Sequence, residues 1–128
     1  MTATDHAVEL IRGAALAASD KLATDILAFD VSEQLAITDA FLLASGANDR
    51  QVRAIVEEVE DKLRELGAKP IRREGHRDGR WVLLDYGDVV VHVQHTEERQ
   101  FYALERLWRD CPVIDLPAEV HGPDSSGG

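Results

Sequence analysis

The chain has 128 residues, 45% of them hydrophobic, which suffices for one domain with its own core and leaves little room for another. It carries 24 acidic residues against 14 lysines and arginines, a formal net charge of -10 at pH 7. Nucleic-acid binders gain most of their affinity by neutralising phosphates with basic side chains, so little direct contact with RNA or DNA is expected. The acidity is typical either of a chain that meets a basic protein partner or of one that simply stays in solution.

The single cysteine, Cys111, excludes an internal disulfide and falls short of a structural zinc site. Because it stands beside Pro112, we predict a small, buried apolar residue. The apolar runs are too short to span a membrane, and no basic, apolar leader opens the chain. We therefore expect a cytoplasmic protein without membrane contact.

The first part of the chain shows helical and extended patterns in turn. Apolar residues recur at helical spacing in two segments, and the second of these is closed by Gly67. Between the two lie two apolar runs of strand length, the later one ended by Gly46. In chain order the patterns predict a helix, two strands, a helix and a short extended segment, at residues 5–19, 25–31, 37–45, 49–66 and 69–73.

Two β-rich runs, residues 81–86 and 89–94, are separated by Gly87-Asp88 and predict an antiparallel hairpin with a tight turn. Side chains alternate along a strand, so one hairpin face is almost wholly apolar and is predicted to be core. The other face pairs three residues of the first strand with three of the second: Asp85 with Val90, Leu83 with His92, and Trp81 with Gln94.

The mixed face of the hairpin combines aromatic, aliphatic, acidic and imidazole side chains. Interfaces often combine aromatic anchors with a few orienting polar groups, so this composition favours a recognition surface. The alternative is that a helix covers this face and makes it a second core. The pattern of residues leaves both possibilities open.

A helix is predicted after the hairpin, capped by Thr96 and ending near Asp110. Its helically spaced Phe101, Leu104 and Trp108 are expected to pack as core. The last residues, 117–128, are rich in proline, glycine, serine and acids, and they predict a disordered tail. We thus predict a single α/β domain over residues 1–116, a mixed β-sheet packed with helices.

Four segments together resemble a known family: GANDRQV at residues 46–52, EG at 74–75, WVLLDYGDVVVHV at 81–93 and RQFYALERLW at 99–108. In residue identity, order and spacing, over roughly residues 5–115, these segments are similar to the ribosomal silencing factor family, also called Iojap-like. One departure is Ala47, where a hydroxyl residue is common in the family.

The resemblance implies a small domain with a nucleotidyltransferase-like fold, no catalysis and no cofactor. It further implies binding to the large ribosomal subunit through the ribosomal protein numbered fourteen, at the subunit-joining surface. The small subunit would then be kept from docking, and translation would be repressed when nutrients are scarce. Basic ribosomal proteins would suit the acidic balance of this chain. We expect the partner-binding residues within the family motifs: Trp81, Leu83, Asp85, Tyr86, Asp88, His92 and Arg99.

Two other classes of function are weighed against this one. A nucleotidyltransferase needs closely paired acids on a strand to hold magnesium, whereas Asp85 and Asp88 flank a turn and Asp39 stands elsewhere. His92 and His95 lie three apart on a strand and point to opposite faces, so no metal site is predicted. A self-associating module, a possible homodimer joined through an exposed tryptophan patch, is the third class.

Overall fold

The computed structural model describes residues 3–75 and 78–121. Within them, five strands form one sheet in the order β1-β2-β5-β4-β3, in which β2 and β5 run parallel and the other neighbours antiparallel. The elements in chain order are α1 (Asp5–Asp20), β1 (Thr24–Asp30), β2 (Ala40–Gly46), α2 (Asp49–Glu65), β3 (Arg72–Glu74), β4 (Trp81–Asp85), β5 (Val89–His95), α3 (Thr96–Tyr102), α4 (Leu104–Leu107) and α5 (Ala118–His121). The predicted mixed α/β domain is confirmed.

The two long helices begin and end where local chemistry favours it. The Thr4 hydroxyl accepts from the Ala7 amide at the start of α1, and the Asn48 side chain accepts from the Gln51 amide at the start of α2. Just beyond the end of α2, Gly67 has φ +89, a backbone conformation that costs glycine little. No helix of the described residues is long and apolar enough to cross a membrane.

The predicted hairpin is present with the predicted register. Trp81 pairs with Gln94, Leu83 with His92 and Asp85 with Val90, and Gly87 takes φ +91 in the turn. The apolar face is buried against α1 and α2, as predicted. Its members are at most 7% exposed: Val82, Leu84, Tyr86, Val89, Val91 and Val93.

The opposite face of the sheet carries a second, smaller core. It lies over β1, β2 and β5, and Leu104 and Trp108 pack against it from the segment after α3. The chain then returns along β1, where the Asp30 amide donates to the Pro112 carbonyl at 2.8 Å. The members of this core are Phe29, Val31, Phe41, Leu43, Val90 and Cys111. The buried position predicted for Cys111 is confirmed. Over β4 the cover is partial, because Leu83 packs against this core but remains half-buried.

The helix after the hairpin differs from the prediction in two ways. The side chain that caps it is that of His95, whose Nδ1 accepts from the Glu97 amide, and Thr96 is the first helical residue. The helix also ends at Tyr102, because Ala103 takes φ +46 and starts a separate turn, α4. This break leaves Phe101 81% exposed, so its predicted place in the core is wrong.

The predicted loose tail from residue 117 also differs from the structure. Ala118–His121 form α5, and Val120 is only 6% exposed. The Ser19 hydroxyl of α1 donates to the carbonyl oxygens of Glu119 and Val120, each at 3.2 Å. The folded region therefore extends at least five residues beyond the predicted boundary, and residues 122–128 of the predicted tail lie outside the described residues.

Ala103 gives a direct test of the break between α3 and α4. The left-handed backbone region costs a residue with a β-carbon about 1 kcal/mol, whereas glycine enters it freely. We expect Ala103→Gly to raise the free energy of unfolding by about 0.5–1 kcal/mol in urea titrations. The matched change Ala54→Gly, inside α2, should lower it by a similar amount. Destabilisation by both changes would show that α3 and α4 form one continuous helix.

Candidate functional site

The outer face of β4 is the part of the hairpin that is only partly covered. Trp81, Leu83 and Asp85 are half-buried there, whereas His92 and Gln94, their neighbours on β5, are only 7% and 0% exposed. The mixed face was predicted to be either a recognition surface or a second core, and each possibility holds for one strand. The face is core over β5 and partly accessible over β4.

Aromatic side chains link β4 to α3 and to the second core. The Trp81 ring lies 4.8 Å from the Tyr102 ring, centroid to centroid, and its indole N–H donates to Nδ1 of His92 at 3.2 Å. His92 in turn meets Phe41 edge-on at 5.4 Å. Such contacts hold the indole in one orientation, with part of its surface still open to solvent.

Two residues that the sequence did not assign to the site extend it outward. Tyr102 is 47% exposed, and Phe101 packs edge-on against it at 5.0 Å. Adjacent residues on a helix point about 100° apart, so at most one of two neighbouring aromatics can face the core. The adjacency of Phe101 and Tyr102 in the sequence was therefore the signal that at least one of them would lie at the surface. We call Trp81, Leu83, Phe101 and Tyr102 the aromatic patch.

Two acidic side chains, Glu74 and Asp85, flank the aromatic patch on its β3–β4 side and form its acidic rim, and Arg72 pairs with both. Glu74 lines a shallow cleft with Gly75, Trp81 and Leu83. Asp85 lies further along β4, with Oδ2 at 3.5 Å from the Arg72 guanidinium. An apolar centre with an acidic rim is complementary to a basic surface that offers apolar pockets.

Arg80 joins the start of β4 to the start of α3. Its guanidinium contacts Glu97 at 2.8 Å and Glu98 at 2.9 Å. The hydrogen bond from Arg80 lowers the pKa of the Glu97 carboxyl. Both acids also stand in the first turn of α3, where the helix dipole favours negative charge. This ion pair places α3, and with it Phe101 and Tyr102, beside Trp81.

Three of the residues predicted to bind a partner are buried. Tyr86 is 7% exposed and points into the core beneath the long helices, because strand alternation places it opposite Asp85. Arg99 is 3% exposed on the sheet side of α3, and His92 is covered by Trp81 and Phe41. These three side chains support the surface from within and expose little contact area in the free chain.

Asp88, the remaining predicted residue, lies at the other end of the hairpin from Trp81. It is half-buried in the turn, and its carbonyl oxygen accepts from the amides of Asp39 and Ala40 at 2.7 and 3.1 Å. It therefore belongs to the turn that joins β4 and β5 and lies apart from the aromatic patch.

Beneath α3 lies a buried polar contact at the ends of β2 and β5. The Arg99 guanidinium donates to the Ser45 hydroxyl at 2.8 Å and to Glu105 at 3.1 Å. Among the described residues, Nη2 of Arg99 and both polar atoms of the Gln94 amide have no hydrogen-bond partner. Burying polar groups without partners costs free energy, so α3 rests on the sheet less firmly than an apolar helix would.

The aspartates considered for nucleotide chemistry accept hydrogen bonds from backbone amides of the fold. Asp85 Oδ1 accepts from the Gly87 amide, and Asp39 Oδ2 accepts from the Thr4 amide. In residues 3–75 and 78–121, no three His, Cys, Asp or Glu side chains are placed to hold a metal ion. At the head of α2, the Asn48 side chain and the Gln51 side chain bind amides of their own loop.

Comparison with known proteins identifies the family. The family model described as "Ribosomal silencing factor during starvation" matches residues 4–126. The chain belongs to the ribosomal silencing factor family. The ribosomal silencing factor RsfS of Bacillus subtilis is 47% identical over 107 residues, which cover 84% of this chain and 91% of that protein.

One more distant relative and two solved structures are also similar to this chain. A mouse relative named mitochondrial assembly of ribosomal large subunit protein 1 is 30% identical over 77% of this chain and 44% of its own length. A crystal structure of a Chromobacterium violaceum protein is similar with a TM-score of 0.76 and 37% identity, covering 86% of this chain and 92% of that one. A Bacillus halodurans protein gives 0.74 and 41%, over 84% and 98%.

His92 makes the stability of this region depend on pH. Burial lowers its pKa from 6.5 to about 4, so the unfolded chain binds a proton that the folded chain rejects between these values. The resulting contribution to stability is complete above pH 6.5 and is lost as the pH falls towards 4, by roughly 3 kcal/mol. Urea titrations from pH 4 to 7 should show this slope, and His92→Gln should flatten it. An NMR titration of the His92 ring with a midpoint near 6.5 would contradict this account.

Proposed function

We propose that this protein binds the large ribosomal subunit through the ribosomal protein numbered fourteen and thereby prevents the small subunit from joining. The aromatic patch on β4 and α3 is the contact surface. The role is repression of translation when nutrients are scarce, without turnover of any nucleotide. The observation that carries the proposal is a half-buried tryptophan held in place by its neighbours and flanked by Glu74 and Asp85, in a member of the ribosomal silencing factor family.

The composition of the patch suits a basic protein partner better than nucleic acid. The chain has a net charge of -10, which repels phosphates and attracts basic ribosomal proteins. Aromatic anchors surrounded by a polar rim are where binding energy concentrates at protein interfaces. The large-subunit association also agrees with the name of the mouse relative, mitochondrial assembly of ribosomal large subunit protein 1.

The main experiment is cosedimentation with purified subunits, followed by a joining assay. The protein should sediment with large subunits and not with small ones, and its presence should lower the yield of joined ribosomes when both are mixed with magnesium. Absence of the protein from the large-subunit pellet in low-salt buffer would exclude the proposal. Turnover of a nucleoside triphosphate that is lost in Asp85→Asn would instead support an enzyme.

Phe101 and Trp81 test the patch separately from the fold. Truncation of an aromatic anchor commonly costs about 2 kcal/mol, so Phe101→Ala and Trp81→Ala should each weaken large-subunit binding about thirtyfold. Phe101 is 81% exposed, so its truncation should leave the melting temperature nearly unchanged. Leu22→Ala, which truncates a 78% exposed side chain two residues after α1, is the matched control and should bind as the parent does. Parental affinity in folded Phe101→Ala and Trp81→Ala would refute the patch.

The acidic rim should act mainly on the rate of encounter. Asp85→Lys should slow association with the large subunit about tenfold at low salt, because it turns attraction into repulsion beside the contact. Glu57→Lys makes the same charge change on an exposed position of α2 and should have a much smaller effect. Stopped-flow association rates at several salt concentrations measure both. Equal slowing by the two variants would mean that only net charge matters.

A further inference from the structure

A basic cleft lies at the C-terminal end of α2, in contrast to the acidic remainder of the chain. Its lining holds three cations and one carboxylate: Arg64, Lys69 and Arg73 with Glu60, beside Ala68 and Pro70. The cleft has a volume of about 320 Å³. We call it the basic cleft.

The charges in the basic cleft are arranged so that positive charge remains available. Glu60 is mostly buried and pairs with Arg73 at 3.0 Å, so the one carboxylate of the lining is already matched. Arg64 contacts Asp61 at 3.0 Å, but both side chains are more than half exposed, which makes the pair weak and easily exchanged. Lys69 is exposed and has no ion-pair partner among the described residues. Two cations can therefore turn towards an anion.

The negative end of the α2 dipole lies at this position, but its effect on an anion is reduced. The carbonyl groups of Lys62, Leu63 and Arg64 at the end of α2 already accept from the amides that follow the helix, so they expose little negative charge. The Tyr86 hydroxyl is buried nearby and has no hydrogen-bond partner in the described residues. Its pKa is raised to about 12, chiefly by burial and further by Glu60, so it stays neutral and adds no negative charge beside the cleft.

The position of the basic cleft relates it to the aromatic patch. Arg73 pairs with Leu84 in the sheet and reaches Glu60 on the helix side, whereas Glu74 and Leu83 face the patch side. The cleft and the patch thus lie on opposite faces of the same sheet edge, β3–β4. Because both border the β3–β4 edge, RNA of the docked particle that extends around this edge from the patch would bring backbone phosphates to the cleft.

We propose that the basic cleft binds one backbone phosphate of ribosomal RNA next to the protein docking site, an inference that rests on the function proposed above. The net charge of -10 opposes contact with free RNA. Docking through the patch overcomes that repulsion, because it converts the phosphate contact into an intramolecular step at high effective concentration.

The test compares Lys69→Ala with Lys21→Ala. Lys21 is also exposed but follows α1, and its carbonyl contacts Gln51 at the N-terminal end of α2, away from the basic cleft. One lost phosphate contact should weaken large-subunit binding about five- to eightfold at 0.1 M salt. It should also reduce the slope of log affinity against log salt by about 0.7–0.9, whereas Lys21→Ala should match the parent. Parental affinity and slope in Lys69→Ala would overturn the proposal.

Two further experiments identify the source of the phosphate. They also test the cleft independently of the docking proposal. NMR spectra of the free protein are titrated with a short uridine oligonucleotide and with inorganic phosphate, each at constant ionic strength. Saturable shifts at residues 64–73 with the oligonucleotide, absent in Lys69→Glu, support the cleft even if subunits do not bind. Shifts with inorganic phosphate alone would overturn the RNA assignment and leave a site for a free anion. No shift with either ligand, together with no effect on subunit binding, would exclude the cleft altogether.

Discussion

The placement of β5 between β2 and β4 is the constraint on which the rest of the structure depends. Parallel pairing with β2 on one side and antiparallel pairing with β4 on the other make β5 a central strand, covered on both faces. The two long helices bury one face of β1, β2, β4 and β5, whereas the described elements after β5 cover chiefly β1, β2 and β5 on the other face. The outer face of β4 is therefore only partly covered, and Trp81 remains partly accessible there.

The second layer that flanks this opening is held by polar contacts more than by apolar burial. α3 is attached through Arg80 to its first-turn acids and through Arg99 to Ser45, while Phe101 and Tyr102 stay exposed. Charged hydrogen bonds of this kind fix direction well, yet they add less stability than a packed core, since each charge also loses hydration. The arrangement presents aromatic side chains at a fixed position beside β4 and leaves them free for a partner.

The sequence predicted the hairpin more reliably than the helix that follows it. Gly87-Asp88 and strict alternation determine the register of β4 and β5, because a shift by one residue would turn every apolar side chain to solvent. No comparable local signal marks Ala103, whose positive φ depends on how Leu104 and Trp108 dock on the second core. Dependence on a contact distant in sequence also explains why α5 was not predicted, because Val120 is buried only where it packs on α1. The burial of Arg99 likewise depends on Ser45, 54 residues away along the chain.

The central claim is that the exposed aromatics beside β4 touch a protein of the large subunit, and site-specific photo-crosslinking tests it most directly. A photoreactive phenylalanine analogue at position 101 should, after irradiation with large subunits, join this chain to one ribosomal protein, the one numbered fourteen. The same analogue at exposed position 57, on α2, should give little product. Crosslinks from position 101 to RNA alone, or equal yields from both positions, would contradict the account.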